Sequence, residues 1–179
     1  MTISIKPTAS GSTIEQDGST ILTVDGSGNI TAANNFSATG HVLQVVSETF
    51  NTQTASTASS YVATHITANI TPSSTSSKIL IIVNSCYGLD TPFSNFRFAG
   101  IYRNSTGVGN ILTTRAGFFS SNLDLVHFTM QYLDSPATTS TINYNLKIRP
   151  DGSGCSIGGR YANTSADQQS TITLIEVAG

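Results

Sequence analysis

Tryptophan is absent from this chain and charge is scarce: Lys, Arg, Asp and Glu together make up 10% of 179 residues. A soluble monomer carries about 25% charged residues. So little charge beside 38% hydrophobic residues predicts that another subunit covers part of what would otherwise be surface; the alternative is a sparingly soluble secreted β-protein. Basic runs are missing as well. Lys6, Lys78, Arg97, Arg103, Arg115, Lys147, Arg149 and Arg160 are scattered through a chain of net charge −2, which argues against nucleic acid as a partner. The longest apolar run, residues 79–83, falls far short of the roughly 20 residues that cross a bilayer, so no membrane insertion is expected. Met1-Thr2-Ile3-Ser4-Ile5 has no basic head before an apolar stretch and is not expected to direct secretion. Cys86 and Cys155 stand alone, which excludes a paired-cysteine zinc site and a disulfide framework. Buried thiols are expected, with a single disulfide as the other arrangement.

Catalytic constellations are also missing. Serines are too common for any one to stand out as a nucleophile, and His41, His65 and His127 have no second His or carboxylate at metal-ligand spacing. His65 and His127 are expected on the solvent faces of strands, and His41 falls at a junction between two regions. Asp124 and Asp134 are the only pair worth weighing for sugar hydrolysis. The competing role for Asp90, Asp134 and Asp151 is turn capping, because Asp134 precedes Ser135-Pro136 and Asp151 precedes Gly152. The sequence therefore predicts no enzyme: no catalytic residues, no cofactor and no metal site.

What the chain does have is small hydroxyls, 25 Ser and 26 Thr, and two distinct patterns of apolar residues. In residues 1–41, Ile14, Leu22 and Ile30 recur every eight positions, with Asp17-Gly18 and Asp25-Gly26 supplying the backbone angles of tight turns. Such a strand-turn repeat buries little on its own and exposes backbone edges, so it needs neighbours. It reads as a stem or anchor, or else as a Ser/Gly-rich arm. From residue 42 to 179 short β-rich segments follow one another, at about 42–50, 61–70, 78–87, 96–103, 110–118, 124–134, 140–149, 155–161 and 170–177. Val126, Phe128, Met130 and Tyr132 alternate with His127, Thr129 and Gln131, and Ile142, Tyr144, Leu146 and Ile148 with Asn143, Asn145, Lys147 and Arg149. An all-β chain with an antiparallel, jelly-roll-like sandwich over 42–179 is predicted.

Two strands lack a polar face. Residues 79–83 are apolar throughout, and at the end Ile172 and Leu174 lie on one face while Ile175 and Val177 lie on the other. The opposite sheet can cover one face and a second subunit the other; shielding loops are the alternative. Ile14, Leu22, Ile30, Ile175 and Val177 are therefore the candidate contacts of a homotrimer. The aromatic residues Phe93, Phe96, Phe98, Tyr102, Phe118 and Phe119 offer further area. Arg103 and Asn104, with Arg160 and Tyr161, are the candidate ligand-facing loop residues, since loops carry recognition.

The stretch Gly11-Ser12-Thr13-Ile14-Glu15-Gln16-Asp17-Gly18-Ser19-Thr20, the run from Val24-Asp25-Gly26 to Asn29-Ile30-Thr31 and the ending Thr171-Ile172-Thr173-Leu174-Ile175-Glu176-Val177 resemble structural proteins of tailed bacteriophages, especially those of aquatic bacteria. Gln131-Tyr132-Leu133-Asp134-Ser135-Pro136 is similar to the strand and turn before the penultimate hairpin of their C-terminal domains. The resemblance spans most of the chain. It implies a trimeric sandwich similar to the tumour-necrosis-factor/C1q superfamily, serving as a fibre knob or a capsid decoration protein, and it carries no catalytic motif. The expected function is a capsid decoration or cement protein contacting the major capsid protein. A short tail or head fibre that binds host-surface glycans is the alternative.

Overall fold

The computed structural model describes residues 2–9, 11–32, 39–89, 96–109, 112–115, 125–150, 154–159 and 168–179. The chain divides into two compact units, Met1–Ala38 and Thr39–Gly179. All described strand pairs are antiparallel.

The first unit is a four-stranded meander of β1 (Ile3–Thr8), β2 (Gly11–Gln16), β3 (Ser19–Asp25) and β4 (Ile30–Ala32). Its turns follow from the Asp-Gly pairs. Asp17 and Gly18 both take positive φ, 49° and 85°, the two left-handed residues that a tight hairpin between twisted strands requires. Asp25 organises the next turn, its Oδ1 accepting from the amides of Ser27 and Asn29, both at 2.9 Å, and its Oδ2 from Asn29 Nδ2 at 2.8 Å. Gly11 has φ 152°, and a Cβ there would lie 1.8 Å from the Val24 carbonyl oxygen, so no side chain fits.

The second unit is a β-sandwich. One sheet contains β7 (Val62–Ile70), β13 (Ile142–Pro150), β9 (Phe96–Arg103) and β10 (Thr106–Gly107) in that order, with β11 (Leu112–Arg115) also on β9. The other runs β5 (Val42–Phe50), β15 (Ser170–Val177), β8 (Lys78–Leu89), β14 (Cys155–Ile157), β6 (Thr54–Ser56), with β12 (Leu125–Asp134) on the other side of β8. The core lies between them: Ile66, Ile101, Leu146 and Ile148 from the first sheet meet Ile79, Ile81, Ile172 and Leu174 from the second, each with at most 1% of its surface exposed. Period-2 alternation builds this layer, with Ile142, Tyr144, Leu146 and Ile148 all buried as predicted. The expected strand over 155–161 stops at Ile157, where Gly158 turns with φ 83°. Of the expected 110–118 strand, Leu112–Arg115 is described.

Both cysteines are buried. Cys155 is registered opposite Leu89, three residues from Cys86 on the same strand. Their side chains therefore leave opposite faces of the sheet, with Cα atoms roughly 10 Å apart along the strand, beyond the reach of a disulfide.

Candidate assembly surface

The outward face of the six-stranded sheet is where the sequence departs from an ordinary sandwich. Register places Ile175 opposite both Val45 and Leu80, and Leu80 opposite Leu133. Opposed residues share a face, so Val45, Ile175, Leu80 and Leu133 form one apolar row across β5, β15, β8 and β12. Its ends stand open, Val45 at 58% and Leu133 at 50% exposure, with Ile175 and Leu80 half-buried between them. Val42, itself 50% exposed and paired with Val177, extends the patch on one side, and Ile82 extends it on the other. Beyond Ile82 the face turns polar. Thr171, Asn84 and Thr129 form the next row but one, with Thr129 Oγ1 donating to Asn84 Oδ1 at 2.6 Å. An open groove of about 310 Å³ lies there, lined by Asn84, Ser85, His127, Phe128, Thr129, Gln168 and Gln169.

The first unit repeats the design. Ile5, Ile14 and Leu22 are directly opposed in register, Ala32 follows Leu22, and Val24 pairs with Ile30. The β2–β3 register shifts at a bulge at Ile21, but all six residues lie on the same side of it and so share one face. Ile5 is 70% and Ile30 69% exposed. The reverse face is polar: Lys6 pairs with Glu15 at 2.5 Å, amid Ser4, Thr13 and Thr23. The five residues predicted as subunit contacts, Ile14, Leu22, Ile30, Ile175 and Val177, thus fall on the apolar faces of two separate sheets. Val45, Leu80 and Leu133 were not singled out from sequence. Their signal lay in the same alternation, but only the register shows that they adjoin Ile175.

Of the loop residues predicted to face a ligand, Arg103 and Asn104 are described, and both are engaged within the fold. Arg103 Nη1 reaches both carboxylate oxygens of Asp134 at 3.0 and 3.3 Å. Asn104 sits at the β9–β10 hairpin with φ 54°, its Oδ1 accepting from the Asn143 amide at 3.1 Å and its carbonyl from Asn145 Nδ2 at 3.2 Å. Asn104 serves the hairpin, while Arg103 links β9 to β12 of the other sheet. Arg160 and Tyr161, like Asp90, Phe93, Phe118, Phe119, Asp124 and Asp151, lie outside the described residues. Asp134 is not a turn cap. It is buried, and besides Arg103 it accepts the Tyr144 hydroxyl at 2.6 Å. Burial, then the hydrogen bond and charge of Asp134, push the Tyr144 hydroxyl far above the usual tyrosine range. His127 is exposed as expected, but His65 is half-buried. Its Nδ1 lies 2.8 Å from Thr54 Oγ1 and its ring packs edge-on to Phe50, and burial lowers its pKa.

Glu176, on the inward face of β15, is fully buried. Burial alone would raise its pKa, yet hydrogen bonds hold it down at about 2: Gln44 Nε2 donates to it at 2.5 Å, and the Ser73 hydroxyl and amide each at 2.7 Å. Among the described residues no three His, Cys, Asp or Glu side chains converge as a metal site would require.

No family model and no curated protein matches the sequence. Among solved structures, the VP2 subviral particle of infectious bursal disease virus is similar at a TM-score of 0.45 and 13% identity, over 94% of this chain and 46% of that one. The Gt strain of the same virus gives 0.44 and 12%, over 94% and 47%. Its T13 viral particle gives 0.42 and 12%, over 93% and 44%. The chain thus spans less than half the length of these proteins. Likenesses this loose leave the architecture to rest on the strand pairing described above.

Proposed function

We propose that this chain is a non-enzymatic structural protein of a bacteriophage virion, a homotrimer that decorates and reinforces the capsid. The observation that carries the reading is the apolar row Val45, Ile175, Leu80 and Leu133 on the outward face of a sheet whose inward face already holds the core. Val, Ile and Leu side chains left facing water in a contiguous row across four strands cost free energy until something apolar covers them. In a chain with 10% charged residues the cover at hand is another copy of the same chain. Three copies is the number that the resemblance to tailed-phage proteins implies.

In this reading residues 42–179 form the head and residues 1–41 the anchor. Three anchors on one trimer hold the shell multivalently, so weak contacts by each add up to firm retention. The apolar face of the first unit suits both parts of that role, joining the anchors to one another or to the major capsid protein.

Light scattering on the purified chain at micromolar concentration tests the assembly: a mass three times that of the monomer is expected, and a monomeric mass removes the basis of the reading. Immunogold electron microscopy of intact virions tests the location. Label spread over the head is the expected result, while label confined to the tail or to a few projections makes the chain a fibre.

A further inference from the structure

The outward face of the five-stranded sheet has a different chemistry. Arg149 is registered opposite Phe98, Lys147 opposite Gly100 and Asn145 opposite Tyr102, so cations, amides and rings share one face. The Arg149 guanidinium lies 4.1 Å from the centroid of the Phe98 ring and 5.6 Å from that of Tyr61. Tyr61 and Tyr102 are 5.6 Å apart, and Lys147 Nζ stands 4.4 Å from the Tyr102 ring. The face thus carries one continuous line, Phe98, Arg149, Tyr61, Tyr102, Lys147, all five half-buried. One glycine makes room for the Tyr102 ring: a Cβ at Gly100 would come within 3.3 Å of it.

Neither Lys147 nor Arg149 is paired with a carboxylate among the described residues, in contrast to Lys6 and Arg103. Among the described residues their positive charge is presented on aromatic rings and has no neutralising carboxylate. Beside them runs a ladder of amides. Asn143 Nδ2 donates to Thr67 Oγ1 at 2.7 Å and Asn69 Oδ1 at 2.9 Å, and Asn145 Nδ2 to Asn143 Oδ1 at 3.0 Å.

We propose that this face binds an acidic oligosaccharide, one whose sugars carry carboxylates. Lys147 and Arg149 pair with the carboxylates, the tyrosine rings receive the apolar C–H faces of the sugars, and Asn69, at the exposed end of the ladder whose other end Asn145 is buried, meets their hydroxyls. Two cations are too few to hold a phosphate backbone. An acidic peptide would use the cations but offer nothing flat to the line of rings. The inference does not depend on the assembly proposed above, because it uses the opposite sheet: the chain can trimerise and bind no sugar, or bind sugar as a monomer.

Calorimetric titration of the full chain with tetragalacturonate, and with maltotetraose as the neutral control, tests it. Tetragalacturonate should bind at least about tenfold more tightly than maltotetraose, and Lys147→Gln and Arg149→Gln should each weaken it by about tenfold, the loss expected for one charge pair. Arg149→Lys should restore part of the loss. Lys147 leans on a ring without closing the core, so Lys147→Gln remains informative even if Arg149→Gln melts early. Absence of tetragalacturonate binding overturns the proposal, as does binding that both glutamine variants leave unchanged. Equal or tighter binding of tetraglutamate or of a four-nucleotide RNA also overturns it, and makes the face a protein or nucleic-acid contact instead.

Discussion

Glu176 holds a negative charge in the interior with neutral donors, Gln44 and Ser73, as its hydrogen-bond partners. Those bonds tie the last strand to residue 73, between β7 and β8, and to the edge strand β5, so the carboxylate closes one end of the sandwich. Its pKa, ordinarily 4.5, falls to about 2 in the fold. A folded-state pKa below the unfolded one means that the contribution to stability is complete above about pH 4.5 and is lost as the pH falls toward 2. Thermal melts followed by circular dichroism should therefore show native protein losing stability between these values relative to Glu176→Gln, with the two curves parallel above pH 5. At neutral pH the glutamine variant, whose amide turns a donor toward donors, should be less stable by about 1–3 kcal/mol. None of this was legible in the sequence. Glu176 drew no reading there, and Asp134 read as a turn cap before Ser135-Pro136, because burial of a carboxylate depends on donors that tertiary packing brings up, Arg103 and Tyr144 for Asp134 and Gln44 and Ser73 for Glu176.

At the scale of the element, adjacent residues of one strand do different work. On β15, Leu174 is fully buried in the core and Ile175 lies on the outward apolar row. Leu174→Ala should cost about 2–5 kcal/mol in unfolding free energy and leave the oligomeric state intact under native conditions. Ile175→Asp should do the reverse, converting the assembly to folded monomers with a small change in the monomer's own stability. Sedimentation velocity and urea unfolding on the two variants separate these outcomes; an Ile175→Asp protein that still sediments as the wild type would leave the outward row without its assigned partner. Strands of this kind were legible beforehand wherever they alternate, as Leu125–Asp134 and Ile142–Pro150 do, or are apolar on both sides, as residues 79–83 are. Short β6 and β10 were not, since three residues of Thr54-Ala55-Ser56 or two of Thr106-Gly107 hold no period to read and exist because a neighbouring strand offers a free edge. Adjacency was equally hidden. Ile175 was singled out from sequence and Val45, Leu80 and Leu133 were not, although hydrogen-bond register makes the four a single row.

For the whole molecule, the two outward faces of one sandwich differ in kind, and salt distinguishes them. The row Val45, Ile175, Leu80 and Leu133 carries no charge, and Lys78 is the cation nearest to it in register. The proposed association through that face would be driven by removal of apolar area from water, which salt leaves unchanged or strengthens. The opposite face draws its ligand through Lys147 and Arg149, half-exposed charges whose reach shrinks from about 10 Å at 0.1 M ionic strength to about 3 Å at 1 M. Raising sodium chloride between those limits should leave the dissociation constant of the assembly within about threefold of its low-salt value, while sugar binding weakens by about tenfold or more. In the proposed assembly the melting temperature should also rise with protein concentration at both salt levels, because association would stabilise the native state and not the unfolded chain. Measured by dilution sedimentation and calorimetry on the same preparation, an assembly that dissociates with salt as readily as the sugar does would mean that ion pairs hold the subunits together and that the apolar row is not the contact.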